Sequence, residues 1–424
     1  MPQTLAEKII AQACGRASVT PGEIVTCRVD LAMIHDSGGP RRVKPILERL
    51  GVGVWDAERV VVISDHFAPG FDPESVAILQ LTREWVAEQG IPHFYDLQGI
   101  CHVVLPERGH LKPGRFVVGG DSHSPTGGAF GCFMFGVGAT EMAGVLATGE
   151  IWLKVPQTIQ IELEGTLAVG CCAKDIMLAL CKRLGMGGGQ YQVIEYTGAV
   201  HHLPMAERMT LCNMAAELGG QTGLVAPDEV TAEFVRNTGG GEIEIAAWQG
   251  DADAKVLETH TLDLNELVPQ VALPHSPANA ERVSEVEPTS LHQAYLGACT
   301  GAKLEDLQMA AKVLRGHTVA SSTRLFVAPA STRITASAAA DGTLKTLTEA
   351  GAILLPSGCG ACAGYGGGGL LTEGEVCIAS TARNFKGRMG ANSSEVYLAS
   401  PYTVAASAIT GRITDPRPFL EGAA

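Results

Sequence analysis

Two cysteines three positions apart, Cys359 and Cys362, lie in the glycine-rich stretch SGCGACAGYGGGG. Thiolates at this spacing can form a redox pair or supply ligands to a metal centre. A thioredoxin-type pair needs its first cysteine at a helix N-terminus, but glycines, which are poor helix formers, follow here. A structural zinc site usually has a second C-x-x-C pair, which this chain lacks, so a site of three cysteines and a histidine is the remaining zinc alternative.

A third cysteine that could join the pair is Cys299, in the stretch YLGACTGAKLEDL, where a strand-like run turns into a helix. Cys299, Cys359 and Cys362 would give three thiolates, one fewer than a closed [4Fe-4S] cluster requires. One iron of such a cluster has no protein ligand and can act as a Lewis acid on a substrate hydroxyl. At this point a redox pair, a zinc site and an iron–sulfur cluster are all alternatives.

Aspartate and histidine occur together where apolar runs end. Asp65 precedes His66 in ISDH, Asp121 lies two positions before His123 in GGDSH, and His102 ends the motif GICH. Ligands of open α/β sheets bind at the carboxyl ends of strands, and a neighbouring carboxylate stabilises the protonated histidine that a general acid needs. One such pair would favour a surface loop or a helix cap, whereas the repetition favours an active site.

Four further polar residues are candidates for the same site. Asn213 and Glu217 lie four positions apart in a predicted helix over 205–218, so they would share one face. Their neighbours are small or apolar, which favours a buried pair over a solvated polar face. Arg383 and Arg388 follow a predicted strand, and although exposed arginines usually serve solubility, such a pair could bind the carboxylates of an organic di-acid.

The composition argues against several classes of function. Lys and Arg total 31 against 45 Asp and Glu, and the net charge of −14 disfavours nucleic acid and acidic membranes as partners. The N-terminal residues lack the apolar core of a signal peptide, so we expect a cytoplasmic protein. No glycine motif of a dinucleotide or P-loop site occurs, which argues against a dehydrogenase. The apolar stretch 130–149 contains Glu141 and five glycines, which predicts a buried helix with a glycine-rich entry rather than a membrane span.

Strand-like and helix-like segments alternate along the chain, which predicts an α/β fold with mainly parallel sheets. Predicted strands are 59–65, 116–121, 158–164, 242–248, 351–357 and 376–381, and predicted helices are 73–88, 173–184, 205–218 and 303–314. We expect three packed α/β units over 1–165, 166–275 and 276–424. The first carries the Asp-His motifs, the second carries Asn213 and Glu217, and the third carries the cysteines and arginines.

Motifs in order along nearly the whole chain resemble large subunits of the aconitase superfamily, in the branch of isopropylmalate isomerase and homoaconitase. They are DLAMIHD (30–36), SDH (64–66), GICHVVLPERGHLKPG (99–114), GGDSH (119–123), FGVGATEMAGVLATGEIWLKVP (135–156), AERMTLCNMAAELGG (206–220), VAPD (225–228), PHSP (274–277), GACTGAKLED (297–306), GCGAC (358–362) and RNFKGRMG (383–390). The resemblance implies three units of the aconitase iron–sulfur fold, without the swivelling fourth domain.

The resemblance also implies roles for the candidate residues. A [4Fe-4S] cluster with one open iron would be held by Cys299, Cys359 and Cys362. Asp65 and His66 would protonate the departing hydroxyl. Supporting pairs would be Asp121 with His123 and His102 with Glu217, and Asn213 would lie beside the cluster. The substrate would be contacted by His35, Ser122, Arg383 and Arg388.

The implied reaction is reversible removal or addition of water on a hydroxy di- or tricarboxylic acid, with isopropylmalate the first candidate substrate. Alternatives are homoaconitase, a hydratase of maleate, citraconate or 2,3-dimethylmalate, and, in another class, a non-catalytic iron-responsive nucleic-acid binder. In this branch the proton-abstracting serine lies on a separate small subunit, so we expect such a partner.

Several positions depart from the family pattern. Around Cys299 the usual S-C-T-N-G-R is changed at four positions, to Ala298, Gly301, Ala302 and Lys303. The usual asparagine after the Asp-His pair is Phe67, and the one before R-N-F is Ala382. We expect these changes to alter the substrate or the surroundings of the cluster more than the class of reaction.

Overall fold

Helices and mainly parallel strands alternate along residues 2–421, the part of the chain that the computed structural model describes. Met1 and residues 422–424, at the outer ends of the first and third predicted units, lie outside it. The strands are β1 (Ile24–Arg28), β2 (Leu31–His35), β3 (Val60–Ser64), β4 (His93–Asp96), β5 (Phe116–Gly119), β6 (Phe133–Gly136), β7 (Glu150–Lys154), β8 (Thr158–Glu164), β9 (Val193–Gly198), β10 (Thr222–Val225), β11 (Glu258–Asp263), β12 (Gln270–Ala272), β13 (Ala280–Arg282), β14 (Gln293–Leu296), β15 (Arg324–Val327), β16 (Ile353–Leu354), β17 (Val376–Ala379) and β18 (Glu395–Ala399).

The α-helices are α1 (Leu5–Ala13), α2 (Pro40–Leu50), α3 (Pro73–Gln89), α4 (Cys101–Glu107), α5 (Ala139–Thr148), α6 (Ala173–Leu184), α7 (Met205–Met214), α8 (Glu229–Asn237), α9 (Leu304–Leu314), α10 (Thr332–Ala340), α11 (Thr343–Glu349) and α12 (Pro401–Thr410). Short 3₁₀ segments include Ser124–Phe130, Ala215–Leu218 and Gly360–Ala363. The predicted α/β fold class is confirmed.

The first large sheet, in the order β4-β3-β2-β5-β6, is parallel throughout. Every residue of β2, β3 and β5 is buried, as expected for strands covered on both faces. Because parallel strands end at one edge, the loops after β2, β3 and β5 bring the segments 35–39, 65–69 and 120–123 together.

The other sheets complete the scaffold. A four-stranded parallel sheet has the order β10-β9-β8-β11, and a seven-stranded sheet has the order β13-β12-β18-β17-β14-β15-β16. In the seven-stranded sheet β14 and β17 are parallel neighbours, so the loops that carry Cys299 and Arg383 leave the same edge. The division into units ending at residues 165 and 275 stays a prediction.

The site edges of the first and the seven-stranded sheets face each other. The backbone N–H of Ile100 donates to the carbonyl of Ala330 (2.8 Å), and that of Cys359 donates to the carbonyl of Asp65 (2.9 Å). A Cβ at Gly358 would lie 2.8 Å from the Asp65 carbonyl oxygen, so this contact requires glycine. Asp65 and the C-x-x-C loop are therefore directly joined.

Three sequence predictions were wrong in detail. Residues 242–248, predicted as a strand, form an irregular segment and the short 3₁₀ turn Ala246–Trp248 after a run of glycines, and much of this segment is exposed. The stretch 130–149 is not one helix, because β6 precedes α5. The helix predicted over 205–218 ends as an α-helix at Met214, so Glu217 lies in the following 3₁₀ turn.

Among the described residues no helix is long and apolar enough to cross a membrane.

Candidate active site

Asp65 and His66 follow β3 and form a buried pair. Asp65 Oδ1 lies 2.6 Å from His66 Nδ1, and Asp65 Oδ2 accepts the backbone N–H of Cys101 at 2.7 Å. Burial favours the neutral imidazole, but the charges of Asp65, Asp36 and Asp121 outweigh burial and raise the pKa of His66 to about 10. His66 is therefore protonated at neutral pH, which is the form that a general acid needs.

Asp36, which sequence reasoning missed, holds the backbone of this pair. Its carboxylate accepts the N–H groups of His66 (3.0 Å) and Phe67 (2.9 Å). Burial and the charge of Asp65 raise the pKa of Asp36 to about 6, although His66 opposes the shift. A signal was present in the sequence, since Asp36 directly follows β2 as Asp65 follows β3.

His35 stacks on His66, with ring centroids 4.2 Å apart and an interplanar angle of 17°. Burial and the charge of His66 lower the pKa of His35 to about 4, so this ring is neutral. Its Nδ1 accepts the backbone N–H of Gly38 (3.3 Å), which leaves Nε2 to donate to the carbonyl of Gly120 (3.0 Å). A neutral ring thus packs against a charged one.

The two supporting pairs exchange partners relative to the implied pairing, which was wrong. His102 Nε2 lies 2.7 Å from Asp121 Oδ1, and His123 Nε2 lies 3.2 Å from Glu217 Oε1. Asp121 instead accepts the backbone N–H of His123 at 2.7 Å. Because Asp121 binds the backbone of His123, the side chain of His123 can reach the carboxylate of Glu217.

Glu217 connects His123 to Arg383. Arg383 Nε donates to Glu217 Oε1 (2.6 Å), and Arg383 Nη1 donates to the hydroxyl of Ser122 (2.9 Å). Burial opposes ionisation of Glu217, but His123 and Arg383 prevail and lower its pKa. Arg383 is thereby held in one orientation, whereas the Nε of Arg388 is buried without a hydrogen-bond partner among the described residues.

The three candidate ligand cysteines lie near one another beside this network. The side-chain amide of Asn213 donates to the sulfur of Cys299 (3.1 Å) and to the hydroxyl of Thr126 (2.8 Å). Burial, together with the nearby thiol of Cys362, raises the pKa of Cys299 to about 12. Asn213 therefore lies against a candidate ligand, as the family resemblance predicts.

The donor set fits a multi-iron cluster better than a single ion. Zinc bonds to sulfur at about 2.3 Å, so its ligand sulfurs lie within about 4 Å of one another. The sulfurs of Cys299, Cys359 and Cys362 are not all within 4.8 Å of one another. Within residues 2–421 one compact set of metal-ligating types exists, formed by His35, Asp36, Asp65 and His66, and in it the ring of His66 is already hydrogen-bonded to Asp65.

A cavity of about 270 Å³ opens between the two sheet edges. Its lining includes His35, His66, Asp121, Ser122, Arg383 and Arg388. The cavity thus brings together two imidazoles, one of them with a raised pKa, and three guanidinium groups, those of Arg42, Arg383 and Arg388. His102, Asn213 and Glu217 support it from behind. This arrangement can bind carboxylates and deliver a proton to a group held between them.

Comparison with known proteins identifies the family. The sequence profile of the Aconitase family (aconitate hydratase) matches residues 70–411. The chain belongs to the aconitase family. It is therefore a hydro-lyase, an enzyme that adds or removes water, and membership implies a [4Fe-4S] cluster.

Two relatives and one solved structure extend this likeness. "3-isopropylmalate dehydratase large subunit 1" of Methanopyrus kandleri is 48% identical over 423 residues, 99% of this chain and 100% of that protein. The "Probable methanogen homoaconitase large subunit" of Methanothermobacter thermautotrophicus is 44% identical over 419 residues, 97% of each chain. The crystal structure of Thermococcus kodakaraensis aconitase X (holo-form) has a TM-score of 0.50 at 13% identity, covering 85% of this chain and 84% of that one, which shows a shared fold alone.

Two buried lysines of this aconitase-family chain were not anticipated from the sequence. Lys174 Nζ donates to the hydroxyl of Thr300 (3.0 Å) and the carbonyl of Thr381 (2.8 Å). Lys303 Nζ pairs with Asp306 (2.7 Å) and donates to the carbonyl of Cys299 (3.2 Å). Both lysines thus hold the loop that carries Cys299 in place. In the sequence only Lys303 stood out, because it departs from the family pattern.

The departure at Phe67 is also explained by contacts. The ring of Phe67 packs against Tyr365 with centroids 4.8 Å apart, and the guanidinium of Arg41 lies 5.2 Å from the Phe67 centroid. The hydroxyl of Tyr365 in turn lies 3.1 Å from that of Ser37. An aromatic contact thus joins the loop after β3 to the glycine-rich loop.

We expect Gly301→Ala to destabilise the protein by about 1–3 kcal/mol, because overpacking forces shifts of well-packed neighbours. A Cβ at Gly301 would lie 2.6 Å from the backbone oxygen of Ser380, which cannot move freely. The matched control is Gly144→Ala in α5, where a Cβ meets nothing within 4 Å. The apparent Tm should fall for the first variant and stay or rise for the second, and equal Tm values would contradict this account of Gly301.

Proposed function

We propose that this chain is the large subunit of a [4Fe-4S]-dependent hydro-lyase that interconverts hydroxy di- or tricarboxylic acids, with isopropylmalate as the first candidate substrate. The observation that carries the proposal is that His66, hydrogen-bonded to Asp65, lies in one cavity with Arg383 and Arg388. The name of the relative from Methanopyrus kandleri, matched over the full length of both chains, supports the choice of substrate.

Cys299, Cys359 and Cys362 are the proposed cluster ligands. Cys299 lies against Asn213, Cys359 is bonded to the Asp65 backbone, and Cys362 shares the C-x-x-C loop with Cys359. Three thiolates leave one iron of a [4Fe-4S] cluster open. When bound, the cluster supplies a Lewis acid for the substrate hydroxyl. Asn213 orients the sulfur of Cys299 by its hydrogen bond.

The side chains of the cavity perform the remaining work. Arg383 and Arg388 bind substrate carboxylate, and Ser122 holds the Nη1 end of Arg383 in place. His66 donates the Nε2 proton to the departing hydroxyl, while the second proton stays on Nδ1, whose hydrogen bond to Asp65 fixes the ring. The stacked, neutral His35 contacts substrate without competing for the proton.

A separate small subunit supplies the base in this proposal. Both relatives are named as large subunits, which supports a divided enzyme. The small subunit would remove the proton from the carbon next to the departing hydroxyl and contact the variable group of the substrate. The chain described here would supply the acid and the carboxylate contacts.

We expect Asp65→Asn to lose activity as the pH rises through neutrality, where the wild type keeps its activity. Because the charge of Asp65 is the leading influence that raises the pKa of His66, its removal shifts that pKa from about 10 toward the ordinary 6.5. His66 would then lose its proton near neutrality, and kcat/KM would drop about tenfold or more between about pH 6 and about pH 8. The measurement is the pH profile of kcat/KM.

The matched control for this profile is Asp253→Asn, which alters an exposed aspartate outside the site. Its profile should follow that of the wild type, which stays protonated at His66 through this range. A profile of Asp65→Asn that coincides with both would show that Asp65 does not set the protonation of His66.

Homoaconitase activity is the second candidate, favoured by the 44% identical relative of that name. The discriminating experiment uses the complex with the small subunit, prepared without oxygen, and follows the ultraviolet absorbance of unsaturated acids. Isopropylmalate, homocitrate, citraconate, maleate and 2,3-dimethylmalate would be compared. Turnover of none of them, with salt-sensitive RNA binding instead, would support a non-catalytic role.

A further inference from the structure

The lining of the cavity contains more cationic side chains than carboxylates. Arg383 is paired with Glu217, and His66 is paired with Asp65. Asp121, the carboxylate in the lining, is already hydrogen-bonded to His102. Two cationic side chains of the lining, Arg42 and Arg388, form no ion pair with the described residues. The cavity is therefore suited to binding an anion.

Arg42 is one of these unpaired groups. It lies in the first turn of α2, lines the same cavity, and forms no side-chain hydrogen bond or ion pair with residues 2–421. The adjacent Arg41 differs, because its Nε donates to the carbonyl of Ser37 (2.9 Å) and its guanidinium covers Phe67. Arg41 thus has a structural role within its loop, whereas Arg42 is available to a ligand.

The chain reaches this position through a tight turn after β2. A Cβ at Gly39 would collide with the carbonyl oxygen of His35, and Pro40 starts α2 immediately afterwards. This turn places Arg42 on the wall that also carries His35, Ser37 and Gly38. Arg383 and Arg388 belong to the segment after β17 of the other sheet, so cations from two different elements line the cavity.

The geometry points to Arg42 as a third substrate-binding arginine, which takes one carboxylate of a di-acid while Arg383 and Arg388 take the other. This assignment rests on the proposed function for the nature of the substrate. It predicts that a monocarboxylate is a poor ligand, since either Arg42 or the pair Arg383 and Arg388 would then stay without a carboxylate partner. The substrate class it selects is a hydroxy acid with two carboxylates separated by the reacting carbons.

The test measures binding of malate, the hydroxy di-acid skeleton that isopropylmalate, citramalate and dimethylmalate share. Calorimetry on the cluster-loaded complex would compare wild type, Arg42→Gln and Arg49→Gln, the last being an exposed arginine near the end of α2. We expect Arg42→Gln to weaken malate binding about 10- to 100-fold, as for a lost hydrogen bond to a charged group. Arg49→Gln should bind like the wild type.

The two monoamides of malate identify the carboxylate concerned. If Arg42 binds a carboxylate, one monoamide should show nearly equal affinity for wild type and Arg42→Gln, because the interaction is already removed. Equal malate affinities of wild type and Arg42→Gln, or the same loss for malate and both monoamides, would overturn the assignment. Because Arg42 is exposed, unchanged iron content and Tm should accompany the effect.

Turnover of the wild type separates this inference from the proposed function. If the wild type turns over a substrate but malate binds equally well to wild type and Arg42→Gln, only the role of Arg42 is contradicted. Arg42-dependent binding without turnover of any acid in the screen would contradict the proposed reaction and support the carboxylate site.

Discussion

Replacing His66 with alanine should lower kcat by about 10²–10⁴-fold, the usual contribution of a positioned general acid. The reason is that His66 is the cavity histidine held protonated, with its pKa raised to about 10 by Asp65 and its neighbours. Neither ring nitrogen is needed by the cysteines, so cluster absorbance and iron content should be unchanged. The measurement is steady-state kinetics of the complex, paired with iron analysis.

His202→Ala is the matched control for this variant. His202 is exposed and forms no side-chain hydrogen bond with the described residues, so kcat should stay at the wild-type value. A His66→Ala enzyme with nearly normal kcat would show that the proton comes from elsewhere. Loss of iron from that variant would instead place His66 among the groups that retain the cluster.

Cys362→Ser should abolish cluster retention and with it all turnover. Cys362 is 4% exposed in the C-x-x-C loop, and two remaining thiolates would leave a second iron without a protein ligand. We expect the anaerobically purified variant to lose the visible absorbance of the cluster and to contain little iron. The chain should still fold, because the loop is anchored through Cys359 and Gly358 to Asp65.

Cys377→Ser tests whether this loss is specific. Cys377 is fully buried in β17, where it accepts a long contact from the side-chain amide of Gln293 (3.9 Å). Its replacement should leave the iron content unchanged, even if stability falls. Iron loss in Cys377→Ser equal to that in Cys362→Ser would mean that the effect reflects general destabilisation rather than ligation.

Positions at strand ends were predictable from the sequence because parallel strands deliver their following loops to one edge. The apolar run before Asp65 and the run before Asp121 are β3 and β5 of one sheet, so their polar residues meet. The same reasoning would have included Asp36 after β2. The role of each as catalytic or binding residue stays a proposal.

Pairings between distant side chains could not be predicted in the same way. The ring of His123 binds Glu217 rather than Asp121. The reason is local: the Asp121 carboxylate accepts the backbone N–H of His123, and this turn directs the ring toward Glu217. Lys174 gave no signal, since a lone lysine at a helix start is ordinarily solvated. The strand predicted at 242–248 failed because β-rich composition alone does not supply a neighbouring strand.

The proposed function requires that Cys299, Cys359 and Cys362 hold a [4Fe-4S] cluster with one open iron next to His66. The most direct measurement is Mössbauer spectroscopy of the ⁵⁷Fe-loaded complex, prepared without oxygen, before and after addition of the substrate identified in the screen. We predict about four irons per large subunit, of which one changes its spectrum when substrate is added. Zinc in place of iron, no metal, or a set of irons that substrate leaves entirely unchanged would show that these cysteines do not hold such a cluster.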